Sequence, residues 1–188
     1  MNLFGTNREQ QIIRLFAKGD ARAMDRLYAE YADYLTGVCA RYVPGREDLH
    51  DVLQESFIKI FMKISSFEYR GKGSLQAWMT RIVINEALHF LRDQNGKMFV
   101  DTVQEPTDIP AQEPEVSGLT EEQLMNMIER LPPGYRIVFN LFVIEGKSHK
   151  EIAQILNIKP DTSASQFYKA RNLLAKMIKE QQKMERIR

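Results

Sequence analysis

The amino-acid sequence predicts an all-α protein built as two small helical domains joined by a flexible linker. Three observations lead there. Apolar residues recur at helical spacing through both halves of the chain. No alternating run suggests a strand, and no segment repeats another. Between the halves lies VDTVQEPTDIPAQEPEVSG, residues 100–118, with three prolines and no sustained periodicity. Proline removes a backbone donor and breaks helices, and like charges keep such a stretch extended. The expected divisions are a first domain at 1–94, an acidic linker at 95–118 and a second domain at 119–188.

The elements follow in order. REQQIIRLFAKGD carries apolar residues at helical spacing and stops at Gly19. DARAMDRLYAEYADYLTGVCARYV supplies one or two further helices. REDLHDVLQESFIKIFMKI is strongly amphipathic, and SLQAWMTRIVINEALHFLR is another such helix with Ser74 placed to cap it. In the second block, EEQLMNMIERL ends at Pro132-Pro133 and GYRIVFNLFVIEG ends at Gly146. Ser148 and Glu151 have capping-box spacing ahead of Ile152, Ala153, Ile155 and Leu156. Asn157 stands where a tight turn wants a left-handed residue, and Pro160 suits the first position of a new helix. That helix, about 160–182, has Phe167, Ala170, Leu174 and Met177 on its inner face. Two helices joined by a tight turn, the second rich in small polar and basic residues, form a helix-turn-helix or a purely structural hairpin.

Composition narrows the function classes. With 188 residues and 44% hydrophobic content the chain can build a core. Its one cysteine, Cys39, excludes an internal disulfide framework and a multi-cysteine metal cluster, and fits a reducing cytoplasm. The N-terminus lacks the long apolar run of a signal peptide. No stretch approaches the roughly 18 apolar residues of a membrane span. A cytoplasmic location without membrane insertion is expected. The net charge of +1 conceals an asymmetry: residues 1–100 carry +2, residues 101–118 carry five acids and no base, and residues 119–188 carry +4.

Helix faces at about 100° per residue sort the candidate functional side chains. Over 47–64, Leu49, Val52, Leu53, Ser56, Phe57, Ile60, Phe61 and Ile64 form a core stripe. Asp48, Asp51, Glu55, Ile58 and Met62 lie opposite. Acids beside apolar groups there suit a protein partner, which supplies burial and register, and equally suit a solvated face. Over 74–92, Met79, Val83, Ala87, Phe90 and Leu91 point inward, with Trp78, Arg81, Asn85, His89 and Arg92 on the other side. Aromatics stack on unpaired bases, Arg meets phosphate and Asn addresses base edges. A lone Trp is also commonly core. Enzyme readings are weaker. Gly71-Lys72-Gly73-Ser74 lacks the order of a P-loop, and no strand precedes it. His50, His89 and His149 form no metal-spaced pair and read as surface side chains. Cys39 reads as inert packing. No nucleophile–base–orienter set is visible, and no cofactor or metal is implied.

The segments resemble the extracytoplasmic-function sigma factors, the compact dissociable specificity subunits of bacterial RNA polymerase. The resemblance rests on Asp48 through Glu55 (DLHDVLQE), on Phe67 through Asn85, on Leu131-Pro132-Pro133-Gly134-Tyr135-Arg136, and on Glu145 through Ala153 (EGKSHKEIA). It covers nearly the whole chain as sigma domain 2, a linker and sigma domain 4. It implies that Asp48, Asp51, Gln54, Glu55, Ile58 and Met62 dock on the clamp helices of the polymerase largest subunit. It implies that Phe67, Arg70, Lys72, Trp78, Arg81 and Asn85 serve the minus-ten element, the loop from Phe67 to Ser74 catching a flipped base. Domain 4 is expected to bind the minus-thirty-five element through Thr162, Ser165, Gln166 and Lys169, and to meet the flap of the second-largest subunit. An anti-sigma factor is an expected partner. The chain departs from the family pattern at Ala164 and Gln166, which replace basic residues, and at Phe142, where some relatives carry a DNA-contacting Arg. These departures imply weaker phosphate anchoring. Lys159 is also a poor N-cap. Two other readings stand beside this one: a helix-turn-helix regulator acting without polymerase, and a decoy with no DNA function.

Overall fold

The computed structural model describes residues 8–94 and 118–186. The chain divides into two compact units, Met1–Gln94 and Asn95–Arg188. The described residues are helical and contain no strand. The expected linker at 95–118 lies outside the described residues apart from Gly118.

The first unit holds α1 (Arg8–Ala17), α2 (Ala23–Ala40), α3 (Arg46–Lys63), a 3₁₀ turn (Ile64–Ser66) and α4 (Ser74–Gln94). The stop after α1 is a glycine motif: Gly19 has φ +66°, its N–H reaches Phe16 O at 3.0 Å, and Asp20 N–H reaches Leu15 O at 3.0 Å. Asp20, in the turn before α2, then grips Arg22 at 2.8 Å, and the guanidinium lowers its carboxyl to about 2. Residues 23–40 form one continuous helix whose inner stripe, Ala23, Leu27, Tyr31, Leu35 and Val38, is buried. Cys39 is fully buried, and burial pushes its thiol up to about 12, so it packs as an uncharged small hydrophobe.

In α3 the buried side chains are Val52, Ser56, Phe57 and Ile60, with Leu49, Leu53 and Phe61 half-buried. Ser56 reconciles its hydroxyl with the core by donating to Val52 O at 2.7 Å. In α4 the core side is Leu75, Met79, Val83, Ala87 and Leu91, and Phe90 is half-buried. α4 packs against both α2 and α3, and α1 lies on α2. Lys59 of α3 meets Glu86 of α4 at 2.5 Å, and Arg8 of α1 meets Glu30 of α2 at 2.8 Å. Truncating a fully buried core residue such as Leu27 to Ala costs about 2–5 kcal/mol through lost transfer energy and the cavity left behind.

The second unit holds α5 (Glu121–Glu129), α6 (Pro133–Phe139) with a wide π turn (Asn140–Ile144), α7 (His149–Leu156) and α8 (Pro160–Arg186). Thr120 and Gln123 close a capping box on α5. Arg136, 5% exposed, donates to Glu129 O at 2.7 Å and to Leu131 O at 3.3 Å, so a cation covers the end of α5. Ser148 and Glu151 close the predicted box on α7: Ser148 N–H reaches Glu151 Oε2 at 2.8 Å and Glu151 N–H reaches Ser148 Oγ at 3.3 Å. Asn157 ends α7 in the left-handed region at φ 54°, ψ 48°, and α8 begins at Pro160. Met127, Ile128 and Leu131 pack against Ala170, Leu174 and Ile178 of α8, with Met177 partly buried beside them. α8 runs to Arg186, longer than its apolar stripe foretold.

Candidate nucleic-acid interface

Two glycines in conformations that L side chains rarely adopt, Gly71 at φ +119° and Gly73 at φ +88°, turn the chain from the 3₁₀ segment into α4. The turn is held by Ser74 N–H to Gly71 O at 3.1 Å. The expectation that Ser74 caps α4 is corrected here. Ser74 is the first residue of the helix, and its hydroxyl accepts from Arg70 N–H at 3.2 Å. The free amides at the helix start go to Glu9 of α1 instead. Its Oε2 accepts from Gly73 N–H at 2.9 Å and its Oε1 from Gln76 N–H at 3.2 Å. Glu9 is 4% exposed. Beside it the Tyr31 phenol is raised to about 12, by burial first and then by the Glu9 and Glu30 carboxylates.

Sequence reasoning missed Glu9. A glutamate in the first turn of an amphipathic helix reads as a solvated charge suiting its own helix dipole. Its true partners are 64 and 67 residues away, and no local pattern announces them.

The loop and α4 shape an open cleft of about 620 Å³ with Phe67, Arg70, Trp78 and Arg81 among its lining residues. The Phe67 and Trp78 rings lie 5.1 Å apart at 43°. Trp78 is half-buried, neither core nor free, and its position one turn before Arg81 puts an aromatic surface beside a cation. Arg70, Lys72, Arg81 and Asn85 are exposed. Arg70 meets Glu68 at 3.5 Å, but both side chains are more than four-fifths exposed, so water screens the pair.

On α3 the acidic and apolar side is open. Asp51, Gln54 and Glu55 are exposed, Asp48 is half-buried, Ile58 is 42% and Met62 75% exposed. A groove of about 1010 Å³ runs along it, with Tyr28, Asp51, Leu53, Gln54, Phe57 and Ile58 among its walls. Tyr28 of α2 packs its ring 4.9 Å from that of Phe57. Tyr28 and Met24, exposed one turn apart on α2, were absent from the predicted face. Their i, i+4 spacing, beside the stripe of Leu27 and Tyr31, was the available signal.

The second unit corrects the sequence at two side chains. Gln166 does not lie on the outside of α8. It is 7% exposed, and its Oε1 has no hydrogen-bond partner among the described residues. Ser163, Gln166, Ala170 and Leu174 follow one another at helical spacing on the buried side, so periodicity outranks the polarity of the amide. Phe142 is half-buried. Its ring stacks on His149 at 4.6 Å and lies tilted by 38° to the Phe167 ring at 4.4 Å. His149, read as a surface residue, is half-buried in that cluster, with Nδ1 3.0 Å from Ser163 Oγ. Thr162, Ser165 and Lys169 are half-buried, and Ala164 is exposed. At the start of α8 the Lys159 carbonyl accepts from Ser163 N–H at 3.1 Å, and Asp161 supplies a carboxylate to the first turn.

Comparison with known proteins places both units. Residues 27–97 match the family Sigma-70 region 2, and residues 121–174 match Sigma-70, region 4. The ECF RNA polymerase sigma-E factor of Haemophilus influenzae is 30% identical over 183 residues, covering 90% of this chain and 95% of the relative. The ECF RNA polymerase sigma-E factor of Escherichia coli K12 is 30% identical over 178 residues, covering 88% and 92%. The solved structure of CnrH in complex with the cytosolic domain of CnrY is similar in fold, at 19% identity and a TM-score of 0.50 over 93% of this chain and 99% of that one. Among the described residues no helix is long and apolar enough to cross a membrane. On the two region matches and the 30% identity over nearly the full length, the chain belongs to the extracytoplasmic-function sigma factors of the sigma-70 family.

Proposed function

We propose that this chain binds bacterial core RNA polymerase, directs it to specific promoters and helps to melt them, with the polymerase doing the covalent chemistry. The observation that carries the reading is on the first unit. An aromatic and cationic cleft at Phe67, Trp78 and Arg81 coexists with a separate acidic and apolar face on α3. Strand separation needs its product held. Stacking on exposed rings and phosphate contact with cations hold unpaired bases without any bond being made or broken.

In this reading Phe67, Arg70, Lys72, Trp78, Arg81 and Asn85 serve the minus-ten element. Asp48, Asp51, Gln54, Glu55, Ile58 and Met62 dock on the clamp helices, with Met24 and Tyr28 extending the apolar part. α8 enters the major groove at the minus-thirty-five element through Thr162, Ser165 and Lys169. Gln166 leaves the set because its amide is inside the unit. The second unit meets the polymerase flap, and an anti-sigma factor competes for these surfaces in the cytoplasm.

Transcription from a promoter library by purified chain plus core polymerase tests the reading. Initiation at a discrete promoter class is expected, and Arg81→Ala with Asn85→Ala should abolish it while core binding persists. Absence of any stimulation across the library, or gel shifts that need no polymerase, would overturn it.

A further inference from the structure

We infer that Glu9 is a positioning residue for minus-ten selectivity: by holding the amides of Gly73 and Gln76, it sets the shape of the loop that closes the aromatic cleft. The inference rests on the reading of that cleft as a base-binding site. Glu9 is not among the residues lining the cleft, and it precedes the stretch matched to Sigma-70 region 2, residues 27–97.

The geometry is specific. Each carboxylate oxygen takes one amide, at 2.9 Å and 3.2 Å, so both the end of the loop and the third residue of α4 are tied to α1. Hydrogen bonds to an ionised acceptor are the stronger kind, and the start of a helix favours a negative charge. Burial to 4% exposure removes the competing water.

The tethered segment has particular need of this. Glycines at φ +119° and φ +88° bracket Lys72, and glycine has the widest backbone freedom of any residue. The opposite end of residues 67–73 is held separately, by Phe67 N–H on Ile64 O at 3.1 Å and by the Phe67 ring on Trp78. With Glu9 in place, the loop is anchored at both ends and Arg70 faces the cleft. Without it, the helix start and Gly73 lose their shared acceptor, and the loop keeps only its short-range bonds, Ser74 N–H to Gly71 O and Arg70 N–H to Ser74 Oγ, with the hold at Phe67.

The test uses holoenzyme made from the full chain and reads binding to single-stranded minus-ten oligonucleotides carrying each base, or no base, at the captured position. Loss of two charge-assisted bonds in Glu9→Ala should cut the preference for the cognate base about tenfold. Affinity for core polymerase should not change. Glu9→Gln keeps the side-chain length and one acceptor oxygen but sets an NH2 donor against the second backbone amide, so it should restore only part of the preference, while Glu9→Asp, one methylene short, should restore less. Amide hydrogen exchange should quicken at Gly73 and Gln76 in Glu9→Gln, even if Glu9→Ala folds poorly. A purely structural role predicts a different pattern, in which affinity falls equally for every oligonucleotide and core binding falls with it. That pattern, or undiminished base preference in folded Glu9→Ala, overturns the inference while leaving the promoter reading intact. If wild-type holoenzyme shows no base preference at any position, the promoter reading fails and this inference with it.

Discussion

The Gln166 amide is 93% buried beside Ser163 and Ala170, and its oxygen is unpartnered among the described residues. Such an oxygen forfeits the water it had in the unfolded chain and gains nothing in exchange. Gln166→Leu is therefore expected to hold the stability of the second unit or raise it by about 1 kcal/mol, measured by urea denaturation. Binding of minus-thirty-five DNA should survive the change; its loss in a gel shift would return Gln166 to the DNA-reading set. Arg136 is the opposite case. Burial lowers its pKa, the Glu129 carboxylate works against that shift, and the guanidinium is committed to two backbone carbonyls. Arg136→Met should cost about 2–3 kcal/mol, because those carbonyls lose a charged donor. Glu9 belongs with Arg136: both are buried charges whose worth lies in backbone groups that secondary structure leaves unsatisfied.

At the scale of the element, the caps govern α7 and α8. Ser148→Ala removes the acceptor for Glu151 N–H and should destabilise the second unit by about 1 kcal/mol, seen as a lower denaturation midpoint. The same box sets a pH dependence. The Ser148 N–H and hydroxyl hold the Glu151 carboxyl below its ordinary value of 4.5. A carboxyl lowered in the folded state adds stability that is complete above the unfolded value and is lost as pH falls through the folded one. Helicity at α7 should accordingly weaken below pH 4.5, and Glu151→Gln should remove that part of the acid sensitivity. Asn157, with φ 54°, should tolerate Gly and resist Val, because a β-branched side chain is strained in the left-handed region. The wide turn Asn140–Ile144 was invisible in GYRIVFNLFVIEG, which has ordinary helical spacing. Its consequence is local: Phe142 faces His149 and Phe167 across the helix-turn-helix.

For the molecule as a whole, the separation of faces on the first unit makes a prediction that neither residue nor element makes alone. Reversing Asp51 and Glu55 to Lys should abolish core-polymerase binding by setting like charge against the partner's surface, without changing helicity, since both side chains are exposed. Retained binding at wild-type affinity would remove α3 from the docking surface.

What the sequence determined by itself was periodic or local in origin. The helices, the Gly19 stop, the capping box at Ser148, the turn at Asn157, the core stripe of α3 and the membership in a sigma family all follow from spacing of a few residues or from ordered motifs. Only the tertiary structure decided which polar groups are enclosed and what they hold. Glu9 reaches amides 64 and 67 residues away, Gln166 falls on the buried side of its helix, and His149 joins an aromatic stack. The reason is physical. A helix pattern specifies a face, but the cost or gain of burying a charge or an amide depends on the partner that another element brings, and that pairing has no period in the chain.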